Sequence, residues 1–355
     1  MVYALGFDVG GANTKAALIR SEGDKVLEVQ VASEYFPIWK KPQKLPRLLL
    51  TLKEQLGTSR IDVLGVTMTA ELSDAYQTKR EGVHHILSCV KTAFPHPVIN
   101  VLNTDAAFSS VEEAEAKPLR VAAANWAATG WVVAQHLKDA VVIDVGSTST
   151  SIISIAHGKV SAQGKTDLDK LFCGELVYTG SLRTNVAAIV QSIPLRGGFA
   201  GVSSELFAQS GDVHRVLGHI DEMSYTSETA DGRGKSVGAA MARLARVVCA
   251  DTEMLTESEI HEMARYIYQQ QLKQITKGLS RVYKFTKTLT PNEVPIVVTG
   301  LGKDFLARKA AQNAGADAII DLESLLPKQA VLATPAVGVA LMALTKHTGE
   351  PIRWT

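Results

Sequence analysis

Two short glycine-rich turns, far apart in the chain, each follow an apolar strand that ends in aspartate. The first is Asp8-Val9-Gly10-Gly11-Ala12-Asn13-Thr14-Lys15, behind Ala4-Leu5-Gly6-Phe7. The second is Asp144-Val145-Gly146-Ser147-Thr148-Ser149-Thr150, behind Val141-Val142-Ile143. Apolar alternation resumes after each, at Ala16–Ile19 and Ser151–Ile155. This pattern describes a β-hairpin whose tip exposes backbone N–H groups and hydroxyls beside a carboxylate. Such a tip holds a phosphate oxygen through its N–H donors, and the aspartate holds Mg²⁺ directly or through its waters. Two facing tips would clamp an oligophosphate between two lobes, so one feature proposes architecture and ligand class together.

A length of 355 residues suits about two domains. Hydrophobic residues at 46% and charged residues at 21% allow sizeable cores and exclude a disordered chain. A formal charge of +1 gives no electrostatic footprint for nucleic acid or a membrane surface. The N-terminus lacks the basic start and apolar core of a signal peptide. The apolar run Val121–Ala134, broken by Asn125 and Thr129, is too short to span a bilayer and reads as a buried helix. A cytoplasmic location is expected. Cys89, Cys173 and Cys249 form no CxxC pair and read as small core residues in a reducing compartment. His84-His85 and His214 with His219 lack a third ligand, which argues against zinc.

Along the chain, residues 1–20 form the first hairpin and residues 26–33 a third strand. A basic, proline-punctuated loop (Lys40–Pro46) leads to an amphipathic helix over Arg47–Leu56, stopped by Gly57. The strand Asp62–Met68 ends in Thr69-Ala70-Glu71-Leu72-Ser73-Asp74, polar residues at a strand end where α/β proteins place chemistry. Helices are predicted over Gly82–Ala93, Asp105–Ala116 and Val121–Leu137, with a strand at Pro97–Leu102. The second hairpin restarts the pattern. Residues 166–236 are polar and lack clear periodicity, as functional segments often do. Helices return at Ser236–Ala250 and Thr256–Tyr283, the latter opened by a Thr256/Glu259 capping box. A strand at Pro295–Thr299 enters Gly300-Leu301-Gly302-Lys303, followed by a helix over Phe305–Ala314 and a strand at Ala318–Ile320. The small-residue helix from Thr334 suits tight packing. The expected division is a first lobe over 1–137, a second over 138–335, and a C-terminal segment 336–355 packing back toward the first.

Two Asp-Val-Gly turns and a late strand-Thr-Gly-Leu-Gly resemble the actin, sugar-kinase and heat-shock-ATPase superfamily. The resemblance implies an α/β, two-lobed actin-like ATPase (ribonuclease H-like) fold with a ligand cleft between lobes. Thr67–Leu72, Ala124-Asn125-Trp126, Gly174–Gly180 with Arg183-Thr184, and Thr229-Ala230-Asp231-Gly232-Arg233 resemble a branch related to hydantoinase and oxoprolinase. Within it they are similar to the tetrahydromethanopterin-linked one-carbon pathway proteins assigned to methanofuran biosynthesis. That resemblance implies a transferase joining an aminomethylfuran-methyl diphosphate to the phenol oxygen of γ-glutamyltyramine, with release of diphosphate. One departure is Asn185, where the family pattern has proline.

Such a reaction needs donors and a cation at the bridging oxygen of the leaving diphosphate. Gly10, Gly11, Asn13, Thr14, Gly146, Ser147 and Thr148 are the candidate diphosphate contacts, and Lys15 supplies a point charge. Asp8 and Asp144 would hold Mg²⁺. The phenol has an ordinary pKa near 10, so a carboxylate near it is wanted; Glu71, Asp74 and Glu175 are the candidates. Arg183 and Arg233 can bind diphosphate or the γ-glutamyl carboxylate, and Thr69, Gly300 and Gly302 would line the substrate. Tyr178 and Trp126 read as packing residues. ATP is not expected to be consumed. Assembly into a homo-oligomer is compatible with the sequence. The competing readings are an ATP-dependent small-molecule kinase, by fold analogy alone, and a non-catalytic nucleotide-sensing or assembly protein of the actin type.

Overall fold

The computed structural model describes residues 1–350 and 352–354. In chain order, the first part runs β1 (Val2–Val9), β2 (Asn13–Glu22), β3 (Lys25–Tyr35), α1 (Leu45–Gln55), β4 (Val63–Met68), α2 (Lys79–Ala93), β5 (Val98–Leu102), β6 (Phe108–Ser109), α3 (Val111–Ala116) and α4 (Asn125–Ala134). Then come β7 (Ala140–Val145), β8 (Thr150–Ala156), β9 (Lys159–Val160), α5 (Asp167–Cys173), β10 (Leu176–Val177), α6 (Val186–Ile189), β11 (Ser192–Leu195), β12 (Gly198–Gly201) and α7 (Ser210–Val216). The chain ends with α8 (Val237–Arg246), α9 (Glu257–Leu289), β13 (Ile296–Thr299), α10 (Arg308–Asn313), β14 (Ile319–Asp321), α11 (Lys328–Val331), α12 (Thr334–Thr348) and β15 (Arg353–Trp354).

Two compact units result: residues 1–140, 153–170 and 322–355, and residues 141–152 with 171–321. The expected division is 1–137, 138–335 and a C-terminal segment 336–355. The outer part of the second hairpin sits with the first unit, because Gly130 of α4 leaves room for Ile153 and Val160. The first unit carries a seven-stranded sheet in the order β15-β3-β2-β1-β4-β5-β6. The second carries β10-β8-β7-β13-β14. In both, a hairpin is extended by an antiparallel third strand on one side and parallel strands on the other. The pattern that the sequence restarts at Val141 is therefore a repeat of topology.

In the first unit, β1 alternates. Leu5, Phe7 and Val9 enter a core with Leu45, Leu49 and Leu52 of α1 and Val83 and Ile86 of α2. On its other face Gly6 stands level with Gly65 of β4. A Cβ on Gly6 would lie 2.1 Å from the Ala336 carbonyl oxygen, and one on Gly65 2.4 Å from that of Val339. The backbone of α12 thus rests directly on the strands, which explains its run of small residues. In the second unit, Val141, Ile143 and Val145 of β7 pack with Ile275, Leu279 and Val282 of α9. The cap of α9 is as predicted: Thr256 Oγ1 accepts the Glu259 N–H at 3.3 Å, and Glu259 returns the contact to the Thr256 N–H at 2.8 Å.

Several expectations shift. The helix predicted from Asp105 begins at Val111, because Asn103 Oδ1 accepts the N–H groups of Asp105 and Ala107 and makes a turn there. The helix predicted from Phe305 opens with a wide turn over Lys303–Ala307. The stretch 166–236 holds α5, α6, α7 and a hairpin, elements too short to show a period. Trp126 is packed, but Tyr178 is exposed, as is Cys249. Among the described residues no helix is long and apolar enough to cross a membrane, and no group of three His, Cys, Asp or Glu side chains could hold a metal.

Candidate anion-binding turns

The tip of the first hairpin closes with the Gly10 N–H donating to the Asn13 carbonyl at 3.1 Å. A Cβ on Gly10 would sit 2.4 Å from that oxygen, so only glycine fits. The same Cβ would stand 3.7 Å from Thr69 Oγ1, which brings Thr69 to this turn. The Thr69 N–H also donates to the Val9 carbonyl at 2.9 Å. Asp8 is almost buried, level with Lys15 on β2 and Thr67 on β4. Thr14 is buried, and its hydroxyl has no hydrogen-bond partner among the described residues. Lys15 does not project into the tip; its Nζ donates to the Leu332 carbonyl at 2.8 Å. The carbonyls of Gly11 and Ala12 accept from Ile38 and Phe36.

Glu71 follows β4 and is 1% exposed. A Cβ on Gly82 would lie 2.6 Å from its Cα, so α2 presses on it directly. Its two oxygens make no hydrogen bond of normal geometry among the described residues. Burial pushes its carboxyl up from 4.5 to about 7, against the opposing pull of Lys79 and the nearby Glu71 and Ala123 backbone amides. Lys79 stands 3.9 Å away and pairs with Asp167 at 2.6 Å. Asp74, two residues beyond the same short turn, is exposed. The sequence reading missed Lys79 and Asp167, whose partnership with Glu71 has no signal at sequence distance.

The second tip repeats the first: the Gly146 N–H donates to the Ser149 carbonyl at 3.0 Å. Around it, however, two further loops converge. From 180–183, the Ser181 N–H donates to the Gly146 carbonyl at 2.9 Å, and the Leu182 and Arg183 N–H groups to that of Ser147 at 2.9 and 3.0 Å. The Arg183 guanidinium reaches Thr148 Oγ1 at 3.3 Å. Gly180 lies against the turn, since a Cβ there would be 2.7 Å from the nitrogens of both Thr148 and Ser149. From 300–302, the Gly302 N–H donates to the Val145 carbonyl at 2.9 Å. Gly300 has φ +88°, and a Cβ on it would lie 2.4 Å from Asp144 Oδ1. The structure therefore unites Asp144, Gly146, Ser147, Thr148, Arg183, Gly300 and Gly302.

It does not bring Glu175 or Arg233 to this turn. Glu175 is fully buried at the level of Ile152, whose N–H its carbonyl accepts at 2.8 Å, further down β8 from the tip. Arg233 is exposed, and its N–H donates to Asp231, the carboxylate shared by Arg243 and Arg246. The residues given no role at the turn were Gly180, which the sequence marks only as the end of a family-like stretch, and Ser181. Asn185, the departure from the family pattern, caps α6 by accepting the Ala187 N–H at 3.0 Å.

Comparison with known proteins agrees with this architecture. The hydantoinase/oxoprolinase family profile matches residues 62–346. A protein of Methanocaldococcus jannaschii named (4-{4-[2-(gamma-L-glutamylamino)ethyl]phenoxymethyl}furan-2-yl)methanamine synthase is 38% identical over 96% of this chain and 97% of its own length. A Methanococcus vannielii protein of the same name is 33% identical over 59% of this chain and 93% of its own length. Among solved structures, nucleotide-free acetone carboxylase superposes with a TM-score of 0.63 at 11% identity, covering 96% of this chain and 70% of that one. The fold is α/β and actin-like, as the glycine turns led one to expect.

Proposed function

The chain belongs to the hydantoinase/oxoprolinase family, and from that premise we propose that it is the methanofuran-pathway synthase whose name its relatives carry. The reaction joins an aminomethylfuran-methyl diphosphate to the phenol oxygen of γ-glutamyltyramine. One observation carries this reading: 38% identity along 96% of the chain with the Methanocaldococcus jannaschii synthase. It also favours the transferase over the kinase, which rested on fold analogy alone.

The chemistry breaks the bond between a furfuryl carbon and the bridging diphosphate oxygen and forms one from that carbon to the phenol oxygen. The phenol proton and diphosphate leave. Positive charge develops on the carbon, where the furan delocalises it, and negative charge on the departing oxygen. Fixed donors aimed at that oxygen lower the barrier. Ser147 and Thr148 offer amides and hydroxyls, and the Arg183 guanidinium stands beside Thr148 as a bidentate anion partner. The first unit offers the Gly10–Gly11 turn, Asn13 and the Thr14 hydroxyl to the same class of anion.

A magnesium ion suits these residues in one form. Among the described residues no group of three His, Cys, Asp or Glu side chains is placed to hold a metal, so the form that suits them is an ion that draws most of its shell from waters and the diphosphate. Asp144, whose carboxylate stands beside Gly300 and at the end of the strand that carries the turn, would be the carboxylate to hold such an ion, with waters and the diphosphate completing its shell; Asp8 is the corresponding residue of the first turn. Such an ion supplies Lewis-acid neutralisation of the leaving group. Glu71, close to half-protonated near neutrality, is the carboxylate of the first unit able to take up a proton; exposed Asp74 is the alternative acceptor. Thr69 orients groups at the first turn.

The test is incubation of the protein with the furan diphosphate, γ-glutamyltyramine and Mg²⁺, without nucleotide, and detection of the ether by mass spectrometry. Equimolar ether and diphosphate are expected. An absolute requirement for ATP, with ADP released, would overturn the reading.

A further inference from the structure

Behind the Gly180 loop runs a string of buried polar side chains that the proposed chemistry leaves unused. His214 on α7 and Gln271 on α9 are both fully buried. Gln271 Nε2 donates to Thr179 Oγ1 at 2.9 Å and to the Gly180 carbonyl at 2.8 Å. A carbonyl oxygen only accepts, so that end of the amide must be the nitrogen. Gln271 Oε1 is then the atom facing His214 Nε2 at 3.0 Å. His214 carries its proton on Nε2, because Oε1 can only accept. Burial, with His219 adding to it, holds the imidazole neutral and takes its pKa to about 3. Its bare Nδ1 therefore accepts from His219 Nδ1–H, 3.1 Å away.

The string is braced on both sides. Phe305, from the turn after Gly302, lies over both imidazoles, with ring centroids 4.5 Å from His214 and 5.1 Å from His219. The Tyr268 hydroxyl fixes Phe305 by donating to its carbonyl at 2.7 Å. At the other end, Thr179 Oγ1 meets Thr184 Oγ1 at 3.1 Å, and Thr184 Oγ1 accepts the Gly180 N–H at 2.9 Å. Hydrogen-bond direction is thus determined from half-buried His219 to the Gly180 peptide. Apolar side chains would fill this space without the desolvation cost of buried polar groups. What the polar string adds is a single height for the Gly180 peptide. Gly180 is the residue against which the Thr148 and Ser149 nitrogens rest.

We propose that His214, acting through Gln271, is a positioning residue for the anion turn 144–150, fixing the height of the Gly180 peptide that packs against the Thr148 and Ser149 amides and so the shape the turn offers to diphosphate. The inference rests on the diphosphate-releasing reading above. It is tested on the full chain with inorganic diphosphate and Mg²⁺ as probe, by calorimetric titration, and by amide hydrogen exchange over 146–150 and 179–184. His214→Phe should weaken diphosphate binding roughly tenfold, the size of one lost hydrogen bond, and speed exchange over 179–184. His214→Gln, which keeps an N–H donor, should recover most of both. Gln271→Glu keeps the acceptor for His214 but loses both donors to the Gly180 loop, and should weaken binding like His214→Phe. It also decides the matter if His214→Phe does not fold. Unchanged affinity and exchange in His214→Phe and Gln271→Glu would overturn the inference and leave the transferase reading intact. A wild-type chain that binds no diphosphate, yet shows faster 179–184 exchange in His214→Phe, would sink the diphosphate site while upholding the coupling of His214 to the loop.

Discussion

The two glycine turns match at their tips and differ in what surrounds them. Each closes with one N–H to carbonyl bond, Gly10 to Asn13 at 3.1 Å and Gly146 to Ser149 at 3.0 Å. In the first turn the carbonyls of Gly11 and Ala12 are taken by Ile38 and Phe36, and Lys15 is spent on Leu332. In the second, two loops press glycines against the tip, an arginine reaches its threonine, and Gly300 lies directly against Asp144 Oδ1. A shared motif therefore sets the hairpin. The neighbours decide which copy has a guanidinium beside its hydroxyls.

The comparison makes unequal demands on equivalent residues. Asp144→Asn should lower ether formation about 10²- to 10³-fold, the scale of losing one preorganised electrostatic group. Asp8→Asn should cost about tenfold less than that, since the basic residue next to its turn, Lys15, is engaged by the Leu332 carbonyl. Equal losses, measured as kcat/KM for the furan diphosphate, would break the asymmetry. Glycines sharpen it next. Gly180→Ala drives a methyl into backbone nitrogens at 2.7 Å. It should cost about a hundredfold in rate, as expected for a displacement near 1 Å, with roughly 1–3 kcal/mol of stability. A methyl on Gly11 meets nothing within 4 Å, so Gly11→Ala should change stability by less than about 0.5 kcal/mol. Thermal unfolding and product assay on the two variants separate these outcomes.

The hairpins, the parallel strands after them and the long capped helix were legible because each follows from periodicity or a local cap. The second turn was legible as far as its own residues went, together with Gly300 and Gly302. Gly180 and Ser181 were not, because what marks them is close approach to a strand end more than thirty residues away in the chain. Glu175 and Arg233 looked suitable by residue type and context. Burial beside Ile152 removes one from the turn, and a neighbouring ion-pair centre at Asp231 leaves the other in solvent. The high proton affinity of Glu71 was likewise unreadable, since it comes from α2 closing over it through Gly82.

That burial gives a stability prediction for the first unit. The Glu71 carboxyl titrates near 7 in the folded chain and near 4.5 when exposed. A raised carboxyl pKa means the folded state binds the proton more tightly. Its contribution is fully present below pH 4.5, falls as pH rises, and is lost above pH 7. The difference amounts to roughly 3 kcal/mol. Glu71→Gln should therefore gain stability relative to wild type as pH rises from 5 to 7.5, read from urea midpoints at each pH. A parallel pair of curves would mean that Glu71 is ionised throughout and unable to store a proton.

The smallest effect is expected at Lys15, the charge that the sequence placed in the first tip. Its Nζ is committed to the Leu332 carbonyl at an exposed position. Exposed contacts of this kind are worth about 0–1 kcal/mol. Lys15→Met should thus lower kcat/KM by less than about threefold and leave the salt dependence of diphosphate binding unchanged. A loss beyond about thirtyfold, confined to KM, would mean that the lysine leaves Leu332 for the substrate. The first turn would then carry the charge that the structure gives to the second.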